Sequence, residues 1–219
     1  FMWVLSALTM TVGNVVALRQ TNIVRMMAYS SISQGGFVLM PLAVAGMSGV
    51  SSSALRSVVV YMLVYAATNL GMFAVIIAVS RKIRSGEISS WGGLFSYAPG
   101  LAVLATIFLA SLAGIPPLGG WIGKFTAFQS LLSSGSGWGY ALALIGAVNS
   151  VVAFGYYGTI MREMWMKPVP DGDTTRVVVP GSLALALGIT CVATLVFGVL
   201  PGVATHFGDI ARITGAFGG

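Results

Sequence analysis

The sequence predicts an all-α polytopic membrane protein with six transmembrane helices, one of them broken near its middle. Three observations carry this prediction. Hydrophobic residues fill 57% of the 219 positions and charged residues only 7%, whereas a soluble domain is about 25% charged. Eleven Lys and Arg with five Asp and Glu cannot cover a water-soluble globule of this length, and the mean hydropathy is +0.93. The apolar residues also fall in runs of about 20 or more, the length that crosses a bilayer as helix. Such runs far exceed the ~10-residue alternating segments of an outer-membrane barrel.

The same residues exclude other classes. A net charge of +6 would point to nucleic acid in a soluble chain, but here the basic residues are scattered between apolar runs and read as topology signals. Cys191 stands alone in an apolar run, so no internal disulfide, CxxC pair or thiolate zinc cage is available. One His and five acids build no conventional metal or hydrolase site. GxGxxG, Walker and GxSxG motifs are all missing from the sequence. Phe1 stands within an apolar segment and no initiator Met or signal peptide precedes it, so the chain reads as a piece of a longer protein.

In chain order the predicted spans are 1–18, 24–46, 55–80, 98–133, 137–161 and 179–201. Arg19 and Arg25 fall in the first loop, Arg81, Lys82 and Arg84 in the third, and Arg162, Lys167 and Arg176 in the fifth. The second and fourth loops and the C-terminal tail hold only Arg56 and Arg212. That alternation predicts the odd-numbered loops on the cytoplasmic side and both ends of the chain outside. Trp3, Trp91, Trp138 and Trp165 fall near span ends, where aromatic anchors belong.

The fourth span is too long. As one continuous helix 98–133 would extend about 54 Å, against a hydrocarbon core of about 30 Å. In its middle lies Gly114-Ile-Pro116-Pro117-Leu-Gly119-Gly120. The two prolines remove backbone donors and clash with the preceding turn, and the glycines permit non-helical torsions. One reading is a broken helix, whose freed backbone groups are tolerated only inside protein or beside water and which is typical of ion-transport sites. The other is a proline kink with a long interfacial end.

Lys124 is the ionisable residue well inside a span, flanked by Trp121, Ile122, Phe125 and Phe128. A charge at mid-span costs at least ~2.5–3.5 kcal/mol. Snorkelling is the plain alternative, yet Lys124 lies about 13 Å below the end of the segment, beyond full reach. A lysine that alternates between charged and neutral forms suits proton transfer. Tyr29-Ser30-Ser31-Ile-Ser33-Gln34 is unusually polar for a span and supports either a water chain or hydrogen bonds to helix carbonyls. Tyr61 and Tyr65, at i,i+4 spacing, line a cavity or pack. Asn14, Asn69 and Asn149 read as links between helices.

Two blocks carry a family resemblance. Gly13-Asn14 through Arg19-Gln20-Thr21-Asn22-Ile23-Val24-Arg25 to Tyr29-Ser30-Ser31-Ile32-Ser33-Gln34-Gly35-Gly36-Phe37 resembles the proton-translocating, antiporter-like membrane subunits of respiratory complex I, NADH-quinone oxidoreductase. Ser111-Leu-Ala-Gly114-Ile-Pro116-Pro117-Leu-Gly119-Gly120-Trp-Ile-Gly123-Lys124-Phe125 is the second, and its Gly-Lys-Phe ending resembles the subunit N branch. The resemblance covers essentially the whole chain.

It implies a fold of about fourteen helices with two inverted five-helix repeats. Residues 1–165 would be the second repeat, and 166–219 a cytoplasmic loop, final helix and tail. The family's broken-helix lysine falls on Lys124, on a proton path with Ser30, Ser31, Gln34, Tyr61 and Tyr65. NADH, flavin, iron–sulfur clusters and quinone would belong to other subunits. The implied partners are membrane and peripheral subunits, the lipid bilayer of a bacterial plasma membrane, and protons, with no nucleic acid. Two departures stand out: Val24 where the family usually has Lys, and Gln34 where many relatives carry a titratable His. The rival readings are a subunit of a cation/proton antiporter or membrane-bound hydrogenase, and a non-conducting structural subunit with Lys124 in a permanent ion pair.

Overall fold

The computed structural model describes residues 1–47 and 49–210; Arg212 and the rest of the tail lie outside the described residues. Nine α-helices run through the described residues: α1 Met2–Ala17, α2 Ile23–Leu39, α3 Ser51–Ile83, α4 Leu94–Tyr97, α5 Pro99–Ala113, α6 Gly119–Ser133, α7 Gly137–Met166, α8 Gly181–Val199 and α9 Pro201–Ile210. Tight 3-10 turns occupy Pro41–Ala43 and Ile88–Trp91. Three helices, α3, α7 and α8, are long and apolar enough to cross a membrane. Helices α1 and α2 have 16 and 17 residues, and α5 and α6 have 15 each. The short α4 and the terminal α9 were not among the expected elements.

Helices α1 and α2 form an antiparallel pair in which backbones touch. A Cβ on Gly13 would stand 2.6 Å from the Ser33 amide nitrogen, and one on Gly36 would stand 2.5 Å from that of Met10. The turn between them is set by Asn22, whose Oδ1 accepts the Val24 and Arg25 amides at 3.1 and 3.2 Å. This caps the otherwise orphaned first turn of α2.

Helix α3 is the central post, packing on α5, α6, α8 and α9. The core has three parts. The largest gathers Met26, Val79, Trp91, Phe108 and Tyr157. A second surrounds Phe37, Met40, Tyr61 and Leu131, and a small third joins Val60, Val64 and Ile122 to Ala204 of α9.

The loops bearing Arg19 and Arg25, Arg81–Arg84, and Arg162–Arg176 meet at one end of the bundle. Ile23 N–H donates to Gly86 O at 2.7 Å, Ile88 N–H to Thr21 O at 2.8 Å, and Gly93 N–H to Glu163 O at 3.1 Å. Lys82 Nζ ties the segment after α7 to the same end, donating to Asp173 O at 2.8 Å and Thr175 O at 2.6 Å. The carboxyl of Asp173 is held below the usual carboxylate range, chiefly by the Thr175 backbone amide. At the opposite end Trp3 Nε1 donates to Trp138 O at 2.7 Å.

Trp91 corrects one expectation. Only 1% of it is exposed, so it does not serve as an anchor on the outer surface. The Ile88–Trp91 turn folds under the end of α7 and carries the indole into the core. Trp138 and Trp165 are exposed, and Trp165 stacks on Phe95 with ring centres 4.3 Å apart.

Candidate functional site

Helix α5 stops where Gly114 takes φ +91°, a left-handed conformation that a Cβ disfavours. A helix end leaves its last carbonyls without intrahelical donors, and within apolar surroundings each must find another. The Ala110 carbonyl accepts the amides of Gly114 and Ile115 at 3.1 and 3.0 Å, and the Ser111 carbonyl accepts Gly114 N–H at 2.9 Å. Two carbonyls remain. Leu112 O accepts Gln34 Nε2 of α2 at 3.0 Å, and Ala113 O accepts Lys124 Nζ of α6 at 2.9 Å. The interruption is therefore capped by the two most conspicuous polar side chains of the predicted site, on consecutive carbonyls.

The start of α6 is satisfied from the other side. Ser111 Oγ, fully buried in α5, accepts Gly120 N–H at 2.9 Å. The same hydroxyl lies 3.1 Å from Thr68 Oγ1 of α3, which lies 3.4 Å from Thr194 Oγ1 of α8. A Cβ on Gly120 would be 1.7 Å from Ser111 O, so only glycine lets the two half-helices cross this closely. The segment 115–118 between them includes a cis Pro116–Pro117 peptide.

Lys124 is 6% exposed. Its ammonium does not reach the surface: Nζ lies on Ala113 O and 4.7 Å from the centre of the Phe37 ring. Among the described residues no carboxylate pairs with it; the ion pairs are Arg56–Asp209, Lys82–Asp173 and Arg162–Glu163. A side chain on Gly114 would meet Lys124 Cδ at 2.8 Å, so that glycine also makes the room through which the lysine stem passes.

Gln34, on the carbonyl next to the one that Lys124 occupies, belongs to a polar cluster. Tyr61 OH donates to Gln34 Oε1 at 2.6 Å. Gln34 Nε2 also donates to Tyr157 OH at 3.3 Å, and that hydroxyl is 2.5 Å from Ser30 Oγ. Between Gln34, Tyr61, Tyr65, Thr68, Ser111 and Gly120 lies a cavity of about 10 Å³, room for about one water molecule. Ser31 Oγ donates to Met27 O of its own helix at 2.9 Å, and its side chain also meets Tyr65 at the edge of the cavity. Hydroxyls and water both donate and accept, and so can hand a proton along; an amide keeps fixed donor and acceptor ends.

Sequence reasoning missed several members. Tyr157, Ser111, Thr68 and Thr194 belong to the cluster; a separate hydroxyl pair lies one turn from Tyr61 along α3, where Ser57 Oγ is 2.7 Å from Ser130 Oγ. Ser111 carried a signal, because it precedes the Gly114 break and stands nine residues before Gly120. Tyr157 carried none, since its partners come from a distant helix. Asn14 and Asn149 link α1 to α7, with Asn14 Nδ2 donating to Asn149 Oδ1 at 2.9 Å and Tyr156 OH to Asn14 Oδ1 at 3.0 Å. The expected third link is absent from this network: Asn69 Oδ1 is buried without a hydrogen-bond partner among the described residues.

A buried lysine beside an interrupted apolar helix is a combination typical of membrane ion-transport sites. Residues 1–152 match the family described as NADH:quinone oxidoreductase/Mrp antiporter, TM, and the chain belongs to that family. It is 40% identical over 212 residues to NADH-quinone oxidoreductase subunit N of Trichlorobacter lovleyi, covering 96% of this chain and 42% of that protein. The chain thus spans about two fifths of the length of the curated relatives it matches. A chain of respiratory complex I from Thermus thermophilus with bound aureothin superimposes with a TM-score of 0.72 at 27% identity, over 94% of this chain and 44% of that one. A chain of the Mrp complex from Dietzia sp. DQ12-45-1b shares the fold, with a TM-score of 0.84 at 19% identity, over 96% and 46% respectively.

Proposed function

We propose that the chain is part of subunit N of a proton-translocating NADH-quinone oxidoreductase, and that Lys124 carries protons across its hydrophobic middle. The observation that supports this most is the lysine's set of partners. Its amine rests on a backbone carbonyl and an aromatic face, contacts that a charged or neutral amine both make. Among the described residues no carboxylate forms with it the ion pair that a purely structural lysine would require. NADH, flavin, iron–sulfur clusters and quinone are carried by other subunits. Redox chemistry there shifts the protonation of Lys124, and each charge moved against 100 mV costs about 2.3 kcal/mol.

In this reading α1, α2, α3, the α5–α6 pair, α7 and α8 are six membrane crossings, the shorter ones completed by their flanking turns. Residues 1–165 form one five-helix repeat and 166–219 the connecting loop, last crossing and tail. The laced basic end faces the cytoplasm. Ser30, Tyr157, Gln34 and Tyr61 form the approach to Lys124. Ser31 and Tyr65 border that route, and the water-sized cavity lies beside the Gln34 amide. The Mrp-type reading shares the fold, but the 40% identity to subunit N favours the oxidoreductase.

The test is proton uptake by vesicles carrying the intact complex, with Lys124→Ala against the parent and quinone reduction measured in the same samples. Assembly is expected to survive while protons per electron fall. Unchanged protons per electron in an assembled complex would remove Lys124 from the path. A sodium requirement for transport would transfer the chain to the antiporter reading.

A further inference from the structure

We infer that the C-terminal pair α8–α9 is a clamp that holds the interrupted helix in register, fastened by the ion pair Arg56–Asp209. The inference rests on the reading of Lys124 as the proton carrier only for its effect on pumping. Helix α8 packs on α3 and α6, and of its 19 residues only Leu187, Thr194 and Gly198 are buried. Two of these three bear on the interruption. A Cβ on Gly198 would stand 1.9 Å from Pro117 O, so the α8 backbone lies directly against the segment between α5 and α6. Thr194 acts through its hydroxyl, which continues through Thr68 and Ser111 to the amide of Gly120. Its carbonyl and the Cβ of Phe197 also press on Gly119, at 3.0 and 3.4 Å from a Cβ built there.

Helix α9 completes the hold. Ala204 packs with Val60, Val64 and Ile122, and Gly208 lies so close to α3 that a Cβ would meet Arg56 Cγ and Val60 Cγ2 at 2.8 Å. At its end Asp209 Oδ1 is 2.9 Å from Arg56 Nε, and Arg56 Nη2 donates to Asp209 Oδ2 at 3.4 Å. Of the two contacts only Nη2–Oδ2 has hydrogen-bond geometry, so the pair holds chiefly by charge. The pair thus pins the far end of α9 to α3, so that α8 cannot lift from Pro117 without breaking it. Arg56 and Asp209 are positioning residues: they touch neither Lys124 nor its partners and act through the 114–120 segment.

The experiment uses the intact complex with Ile115→Cys in a Cys191→Ser background. Ile115 lies in the clamped segment and is 38% exposed. Maleimide labelling of that cysteine is compared in otherwise parental protein, Arg56→Ala, Asp209→Ala and the exchanged pair Arg56→Asp with Asp209→Arg. Thr194→Val serves as an independent variant that keeps the ion pair. Each single variant is expected to raise the labelling rate about two- to fivefold, the weight of an exposed ion pair in an opening equilibrium, and the exchanged pair to restore it. Labelling unchanged in Arg56→Ala, Asp209→Ala and Thr194→Val would overturn the clamp. Should the ion-pair variants fail to assemble, Thr194→Val decides alone. Labelling does not depend on pumping, so unchanged protons per electron in Lys124→Ala would remove the role of Lys124 and leave the clamp standing, while unchanged labelling would remove the clamp alone.

Discussion

Replacing Gly120 by Ala should separate the two halves of the interrupted helix. The added Cβ would stand 1.7 Å from Ser111 O and 2.6 Å from Ser111 C, where ordinary contact begins near 3.4 Å. The obstruction is backbone on both sides, so no rotamer change relieves it, and α6 must move away from α5 by about 1.7 Å. That displacement breaks the 2.9 Å bond from Gly120 N–H to Ser111 Oγ and pulls Lys124 Nζ from Ala113 O. Overpacking costs about 1–3 kcal/mol and the lost hydrogen bond about 1 kcal/mol, so a destabilisation of ~2–4 kcal/mol is expected. The measurement is denaturation of the full-length protein in detergent beside Gly35→Ala, where nothing lies within 4 Å of the added carbon. Gly35→Ala should be neutral or stabilising by about 0.5–1 kcal/mol, since alanine is the better helix residue. If Gly120→Ala falls within ~0.5 kcal/mol of that control, the close crossing at Ser111 does not govern the site.

Two further outcomes follow from contacts outside the lysine. Asn14→Leu leaves the Asn149 side chain and Tyr156 OH without their shared partner and should cost ~1–3 kcal/mol; adding Asn149→Leu should cost less than the two single changes summed, as expected for residues in direct contact. The carboxyl of Asp173 is lowered from its ordinary value, so its contribution is present above the unfolded pKa and is lost as pH falls through the lowered value. Hydrogen exchange in the 173–176 segment should therefore rise below about pH 4, and Asp173→Asn should abolish that acid dependence.

What the sequence discloses is what local chemistry determines. Prolines and glycines in a run too long for one crossing mark 114–120 as an interruption, and an isolated charge makes Lys124 conspicuous. Neither reveals that Gln34 and Lys124 occupy the Leu112 and Ala113 carbonyls, because this depends on how α2 and α6 are laid against the end of α5. Tyr157 was overlooked for the same reason. The close approach of α1 and α2 escapes any search for small residues spaced along one helix, since Gly13 lies against Ser33 and Gly36 against Met10 across the pair. Trp91 misleads in the opposite sense: its place near a span end resembles an anchor, while the turn that carries it folds inward. Expected runs and observed helices also differ in length, because the turn at Pro41–Ala43 takes residues that hydropathy alone assigns to the second run.

The lacing of one end of the bundle has a mechanical consequence. Three loops share main-chain hydrogen bonds there, whereas the opposite end is joined by side chains such as Trp3 and Trp138. The laced end is a stiff plate and serves as a fulcrum, so a push on any one loop turns the attached helices together. Helix α3, with 33 residues, is a lever about 50 Å long, and a tilt of one degree displaces its far end by about 0.9 Å. Arg56, paired there with Asp209, sits near that far end and Tyr61 further in, so a small rotation at the plate reaches both the clamp and the polar interior. Sub-ångström travel there is enough to make or break a hydrogen bond. A partner gripping only the plate could thus work the middle of the bundle from a distance.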